Sequence, residues 1–480
     1  MKTSLHRRDF LSLGSAAVLG GCFAPSLFAQ ESAGTGDLAE FVQVSKRAPR
    51  YFELTNGKPY IPIGLNMVYP PGREDVELTA LENEWLKPLH ENKANFIRVW
   101  LSHQLYEVER NRAGNFDPAR LQKLKNLFAL ARKYGIRLKL CTEHFRHLGE
   151  GSQGWAGRQM LLKENGGPSE NTRDYFTGEA GRAHYKKKLD YYAENFGSDP
   201  IVFGWELWNE MDAVHGFWQD ADVIRNWSTE MLAELRKRFP KNLVMQSLGS
   251  YDAENKRAIY RMLCELPGND VLQVHRYLDL GASWKICSGS VASLNAEATK
   301  DLLAMNPDKP VLLAEGGAVE PNHSGPFRLY PKDREGTILH DVLFAPFFVG
   351  AAGPGHIWHW DQYVARNNIW FHFGRFAAAV KGWTRQPRIL SLSKSSMSGC
   401  TSMVSRATPK LWFGAETSRT LGKPNSKRRK PPKCSPVFSL PSIAERVGFG
   451  FMTRGRTAGR TAEGGQALFS RISAALSLSR

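Results

Sequence analysis

The chain has 480 residues, 42% hydrophobic and 11% aromatic, enough to bury a full core, which excludes a disordered, collagen-like or disulfide-stapled chain. Its formal charge of +17 looks like that of a nucleic-acid binder, but the charge is unevenly placed. Residues 381–480 hold 19 Lys and Arg against 3 Glu and residues 1–30 hold three basic residues and Asp9, so residues 31–380 sum to −1, and no nucleic-acid partner is expected of that body.

At the amino terminus Lys2, Arg7 and Arg8 precede an apolar stretch over residues 10–24, too short and too rich in Gly and Ser to span a membrane. Arg7-Arg8-Asp9-Phe10-Leu11 resembles the bacterial twin-arginine signal, which implies export of a folded protein to the periplasm or beyond. Residues 1–29 are the expected signal, cleaved after Ala29, and residues 30–49 a linker. Leu19-Gly20-Gly21-Cys22 also resembles a lipoprotein box; a lipid on Cys22 would be the one link to a membrane, and the alternative is an apolar residue in a discarded peptide. The remaining cysteines, Cys141, Cys264, Cys287, Cys400 and Cys434, form no CxxC and no metal-ligand spacing. The first three read as buried thiols, and neither a metal nor a cofactor is expected.

From residue 60 to 383 short β-rich runs alternate with helical patterns. The predicted strands cover residues 60–65, 95–101, 136–142, 202–208, 243–248, 271–275, 310–315 and 356–360. Their continuous apolar character suits parallel strands covered on both faces. One helix is unusually legible: Asp117 caps it, Pro118 takes the first turn, Leu124, Leu127, Phe128 and Ala131 make the apolar face, and Gly135 ends it. Eight βα units over residues 50–383 predict an α/β fold, a (β/α)8 TIM barrel with its site at the strands' carboxyl ends. The alternative, a doubly wound sheet, lacks a glycine-rich turn after the first strand.

Two strand ends carry chemistry. Gly204-Trp205-Glu206-Leu207-Trp208-Asn209-Glu210 and Val311-Leu312-Leu313-Ala314-Glu315-Gly316-Gly317 each finish an apolar strand with a carboxylate, costly to bury without a partner. Glu210 and Glu315 stand three βα units of about 35 residues apart, so an eight-fold barrel brings both to one face. Two carboxylates across a cleft are the equipment of glycoside hydrolysis, one protonating the departing oxygen and the other attacking the anomeric carbon or activating water. Glu206 is the rival carboxylate, on the same strand face but a layer deeper, where pairing with a barrel arginine is expected.

These motifs resemble those of clan A glycoside hydrolases, particularly the family-five-like cellulase and mannanase group, over about residues 50–383. The resemblance implies Glu210 as acid/base, Asn209 as donor to the sugar 2-hydroxyl and Glu315 as nucleophile. Arg98, in Asn95-Phe96-Ile97-Arg98-Val99-Trp100, matches the clan's second-strand arginine that holds the nucleophile ionised. His275-Arg276-Tyr277 matches the sixth-strand His-x-Tyr, implying that Tyr277 orients Glu315 and His275 lines the subsite. In Trp358-His359-Trp360-Asp361 the choice of sugar platform depends on register, and Trp360, nearer the strand's carboxyl end, is expected to fill it.

A long Gly-rich loop over residues 143–175, without a helix pattern, should overhang the active face and carries Trp155. Glu143 and His144 open it and read equally as substrate-binding or structural, while His215 and His323 have no evident partner. Beyond Trp383 the pattern breaks. Residues 391–480 contain no Asp or Tyr, 16 Ser and the basic run Lys427-Arg428-Arg429-Lys430, reading as a disordered tail or, preferred for the abruptness of the change, a wrong reading frame; resequencing decides. The function expected is an exported retaining glycosidase acting on β-linked polysaccharide. The alternatives are a catalytically idle carbohydrate-binding barrel and a transglycosylase using the same residues.

Overall fold

The structure is a computed structural model that describes residues 37–68, 77–103, 105–109, 112–144, 160–214 and 220–381. The expected export signal with Cys22, Trp155, His215, Trp383, and the basic segment with Cys400 and Cys434 lie outside those residues.

The chain forms a (β/α)8 barrel. Strands β1 (Gly64–Asn66), β2 (Phe96–Trp100), β3 (Arg137–Glu143), β4 (Val202–Trp208) and β5 (Leu243–Met245) make one parallel sheet in that order, and β6 (Leu272–Leu278) pairs in parallel with β7 (Val311–Ala318). β5 is only three residues long, and the ring continues from it to β6 through Asp270 N to Val244 O at 3.0 Å and Tyr251 N to His275 O at 2.8 Å. Helices α1 (Lys87–Glu91), α2 (Pro118–Tyr134), α3 (Glu179–Phe196), α4 (Ala221–Arg238), α5 (Arg257–Glu265), α6 (Val291–Met305), α7 (Thr337–Phe348) and α8 (Phe371–Val380) follow the strands and cover the outside. In α2 the Asp117 side chain accepts from Ala119 N at 2.8 Å, Gly135 closes the helix at φ 65°, and Leu124, Leu127, Phe128 and Ala131 are buried. Cys141, Cys264 and Cys287 are buried free thiols.

Four expectations need correction. The first barrel strand is Gly64–Asn66, whereas Tyr60 belongs to an antiparallel sheet of Val42–Val44, Phe52–Leu54 and Pro59–Tyr60. Part of the expected linker is therefore folded: Val42, Phe52 and Leu54 pack with Phe96, Phe203, Met245 and Leu312, apolar side chains that would otherwise face water at the barrel's lower end. The expected eighth strand shrinks to residues 356–358, because a π-helical turn, Trp360–Ala365, takes over the chain. That short segment still closes the ring, with Gly316 N to His356 O at 3.1 Å, Trp358 N to Gly316 O at 3.0 Å and Asn66 N to Ile357 O at 3.1 Å. Finally, the described end of the Gly-rich loop holds a helix, Thr172–Thr177, capped by Asn171.

Gly64 sits where β1 comes closest to β2. A Cβ there would lie 1.7 Å from the Phe96 carbonyl oxygen, part of the backbone, so it cannot be accommodated by a rotamer change. Gly64→Ala should therefore cost more than about 3 kcal/mol in urea unfolding; a variant as stable as the parent would contradict this close strand packing.

Candidate active site

The site grows from β2. Residue alternation turns Arg98 into the barrel, where it is fully buried, and each of its five N–H groups meets an acceptor. Nε and Nη2 grip Glu206 at 2.9 and 2.7 Å, Nη1 donates to Asn66 Oδ1 at 3.1 Å and to Glu315 Oε1 at 2.5 Å, and Nη2 also donates to Asn209 Oδ1. Burial works against the cation, yet the Glu206 and Glu315 carboxylates hold it well above its ordinary pKa.

Glu206 is the deep carboxylate and meets Arg98, with Lys139 Nζ at 2.9 Å and the Ser247 hydroxyl donating at 2.5 Å. Burial opposes its charge, but Arg98 and Lys139 prevail and hold it well below the usual carboxylate range. The same burial drops Lys139 to about 8. The group is a satisfied ionic floor rather than a reacting one.

Glu315 emerges just after an irregularity in the β6–β7 register, between Leu313 and Glu315, which re-aims the strand so that this side chain faces the mouth. Both oxygens accept, Oε1 from Arg98 and Oε2 from the Tyr277 hydroxyl at 2.7 Å. Tyr277 reaches it because Gly317 and Tyr277 are paired across β6 and β7, two residues above Glu315 and His275.

Glu210 follows β4 in a left-handed conformation, φ 51° and ψ 53°, uncommon for a residue with a side chain, and its N–H donates to Ser247 Oγ at 3.2 Å. Burial, reinforced by Asp212, pushes its carboxyl up to about 7, while His323, Lys256 and Arg98 pull the other way. His275 Nδ1 lies 2.8 Å from Glu210 Oε1 and 3.5 Å from Glu315 Oε1. Burial lowers this imidazole to about 4, so it stays neutral near pH 7. Oxygens of Glu210 and Glu315 and a nitrogen of His275 all fall within 4.8 Å of one another, the one grouping among the described residues close enough to share a metal ion. With the Arg98 cation already on Glu315, a divalent ion there would face repulsion as well as attraction.

Arg98, Asn209, Glu210, His275, Tyr277 and Glu315 thus converge. Asn209 Nδ2 and His275 Nε2 are buried without a hydrogen-bond partner in the protein. Trp360 does not join them. His356 stacks on Phe96 inside the barrel at 4.4 Å, so period-two alternation turns Trp358 to the interior and Ile357 outward. Trp360 follows in the π-helical turn, 3% exposed and edge-on to Trp85 at 6.1 Å and Trp358 at 5.6 Å. Trp358 is half-buried, with its ring 5.0 Å from that of Trp100.

Glu143 has turned away from the mouth. It is buried against Lys188 of α3 at 2.6 Å, together with Glu107 at 2.9 Å from the same ammonium, and burial pushes it to about 7. His144 stays on the inner side, stacked on Trp100 at 5.2 Å with its Nδ1 2.6 Å from Ser102 Oγ. Sequence reasoning missed Asn66, Lys139, Ser247 and Asp212. Asn66 left a faint trace as a polar residue ending an apolar strand, while the others depend on which strands become neighbours. His323, without a partner in sequence, lies 3.0 Å from Asp279.

Residues 70–338 match the family model described as Cellulase (glycosyl hydrolase family 5). No curated protein matches the chain significantly. Among solved structures, an exo-beta-1,4-mannosidase from Opitutaceae bacterium strain TAV5 is similar at 18% identity and TM-score 0.51, over 71% of this chain; the chain spans 63% of that protein, less than two thirds. An endo-1,4-beta-mannanase from Rhizomucor miehei is similar at 18% identity and TM-score 0.50, over 70% of this chain and 99% of its own. A family 5 mannosidase from the same organism has 13% identity and TM-score 0.50, over 72% and 99%. At these identities the likeness is one of fold.

Arg98 sets the stability of this floor. Arg98→Met should lose about 3–5 kcal/mol in denaturant unfolding, because Glu206 and Glu315 would remain buried with one cation fewer. Arg98→Lys should not restore the loss, since an ammonium has three donors and no planar fork; full rescue by lysine would refute the five-donor account.

Proposed function

The chain belongs to glycosyl hydrolase family 5, and on that premise we propose that it is an exported, retaining glycosidase that cleaves β-linked mannan- or glucan-type chains by double displacement. The observation that carries this reading is the approach of Glu210 and Glu315 to within 4.8 Å at their nearest oxygens, in unlike surroundings. Retention needs carboxyl groups about 5 to 5.5 Å apart, whereas inversion leaves room for a water at about 6.5 to 9.5 Å. Glu315, with both oxygens accepting from Arg98 and Tyr277, is equipped to attack the anomeric carbon. Glu210, pushed up to about 7, is equipped to protonate the departing oxygen and then, as a base, to take a proton from the water that releases the sugar.

Around that pair, Arg98 fixes Asn209 by its carbonyl, so the free Nδ2 is the atom offered to a sugar hydroxyl, and Trp358 offers a face to the ring. The mannan preference is supported by the names of the fold neighbours, and export by the Arg7-Arg8 motif. Carbohydrate is the partner; neither nucleic acid nor a cofactor enters the scheme.

Proton NMR of the first product formed from a β-1,4-mannan oligosaccharide should show retained configuration; the inverted anomer first would overturn double displacement. Glu315→Ala should abolish turnover of every substrate. Glu210→Ala should lose least on nitrophenyl glycosides and recover partly with azide; the opposite pattern would exchange the two roles, two fully active variants would take catalysis away from this pair, and a wild type that binds mannan without cleaving it would leave the carbohydrate-binding barrel as the explanation. Because the acid must hold its proton, activity should fall as pH rises through about 7, and a profile flat from pH 6 to 9 would deny Glu210 that role. Trp358→Ala should raise KM at least about tenfold, while Trp360→Ala should mainly lower Tm, since a buried tryptophan truncation costs about 3–5 kcal/mol.

A further inference from the structure

The loops after β5, β6 and β7 bring together three residues that the glycosidase scheme does not use. Asp279, buried just beyond β6, accepts from Gly281 N at 2.7 Å and Asn322 N at 2.9 Å through Oδ1, leaving Oδ2 to face His323 Nδ1 at 3.0 Å. His323 Nε2 lies 3.0 Å from Ser250 Oγ. A carboxylate at Nδ1 holds the ring proton there, so Nε2 is the lone pair and the serine hydroxyl donates to it. This is the order nucleophile, base, orienting acid.

The loop is built to hold this arrangement. Asn322 and His323 are consecutive residues with side chains at φ 61° and 55°, a conformation costing about 1–3 kcal/mol at each position. A Cβ at Gly281 would lie 2.4 Å from Asn322 N, so only glycine lets the two loops close on Asp279. The His323 side chain is 37% exposed, and its ring stands edge-on to Tyr277 at 5.0 Å, the tyrosine whose hydroxyl holds Glu315. Lys256 Nζ, paired with Asp252 at 3.0 Å, donates to the Ser250 carbonyl oxygen at 2.8 Å and ties the serine's backbone in place.

We propose that Ser250, His323 and Asp279 form a second catalytic site, one that hydrolyses acyl esters on the hydroxyls of the same glycan. The ester class rests on the glycosidase reading, because the two sites share the Tyr277 wall. Ser250 Oγ attacks the ester carbonyl carbon and its proton passes to His323 Nε2. The carbonyl C–O bond to the sugar breaks, and the leaving alkoxide takes that proton. Water, deprotonated by His323, then attacks the acyl-serine, releasing the carboxylic acid and returning the proton to Ser250.

The test uses the full chain with a fluorophosphonate probe, with 4-nitrophenyl acetate and with an O-acetylated mannan. The folded wild type should take up label on the Ser250 peptide, identified by mass spectrometry, and should release acetate from both esters. Ser250→Ala and His323→Ala should each lower ester turnover at least about 10³-fold. Absence of label on Ser250 in the wild type, or ester turnover undiminished in Ser250→Ala, would overturn the proposal. Unacetylated mannan reads the other reaction separately: mannan cleaved without ester turnover sinks this proposal alone, and ester turnover without mannan cleavage sinks only the glycosidase reading.

Discussion

A guanidinium fork with all five N–H groups engaged ties four strands of the barrel to one point. Arg98 on β2 holds Asn66 on β1, Glu206 within β4, Asn209 just beyond β4 and Glu315 on β7. A planar donor set admits few arrangements of its acceptors, so fixing one strand fixes the others to within a hydrogen bond's tolerance. The position of Glu315 therefore follows from the floor beneath it, and Asn209 has no freedom to turn its amide over, because its carbonyl end is taken.

The floor also settles the charge balance of the site. Arg98 and Lys139 face Glu206 and Glu315, and the neutral His275 adds nothing, so these groups cancel. Glu210 stands beside His275 above that floor, and there burial reinforced by Asp212 outweighs the opposing pull of His323, Lys256 and Arg98 on its carboxyl. The difference between the two mouth carboxylates originates in position: Glu315 grows out of a strand that touches Arg98, and Glu210 out of the turn after a strand whose inner carboxylate has already claimed it.

What could be read in the sequence was whatever depends on near neighbours. Helix α2 was legible to its caps because Asp117, Pro118 and Gly135 act within a turn of it, and the strands were legible because both of their faces are covered by apolar side chains. The strand-end positions of Glu210 and Glu315 survived for the same reason. The register of Trp358 and Trp360 was not legible because the chain leaves the ring after residue 358, an event set by its pairing with Gly316 and by the π-helical turn. Val42–Val44 was invisible as a strand, since three residues carry no periodicity and its partner is Phe52–Leu54. Lys139 offered no hint, because its value as a cation depends on β4 lying beside β3. Ser250, Asp279 and His323 come from three separate loops, and no spacing rule connects them.

The small antiparallel sheet has a consequence for the order in which the molecule can be assembled. Its apolar face rests on Leu312 and Ala352, Arg50 donates to the Pro307 carbonyl at 2.6 Å, and Asn66 N finds its acceptor only at Ile357. Residues 42–66 thus wait for partners made some 250 to 290 residues later, a separation that makes ring closure a late and slow step. Until then Val42, Phe52 and the lower core of the first strands stand uncovered. A chain cut before residue 357 would leave Asn66 N without its acceptor and the ring open, a state that favours aggregation over a smaller stable protein.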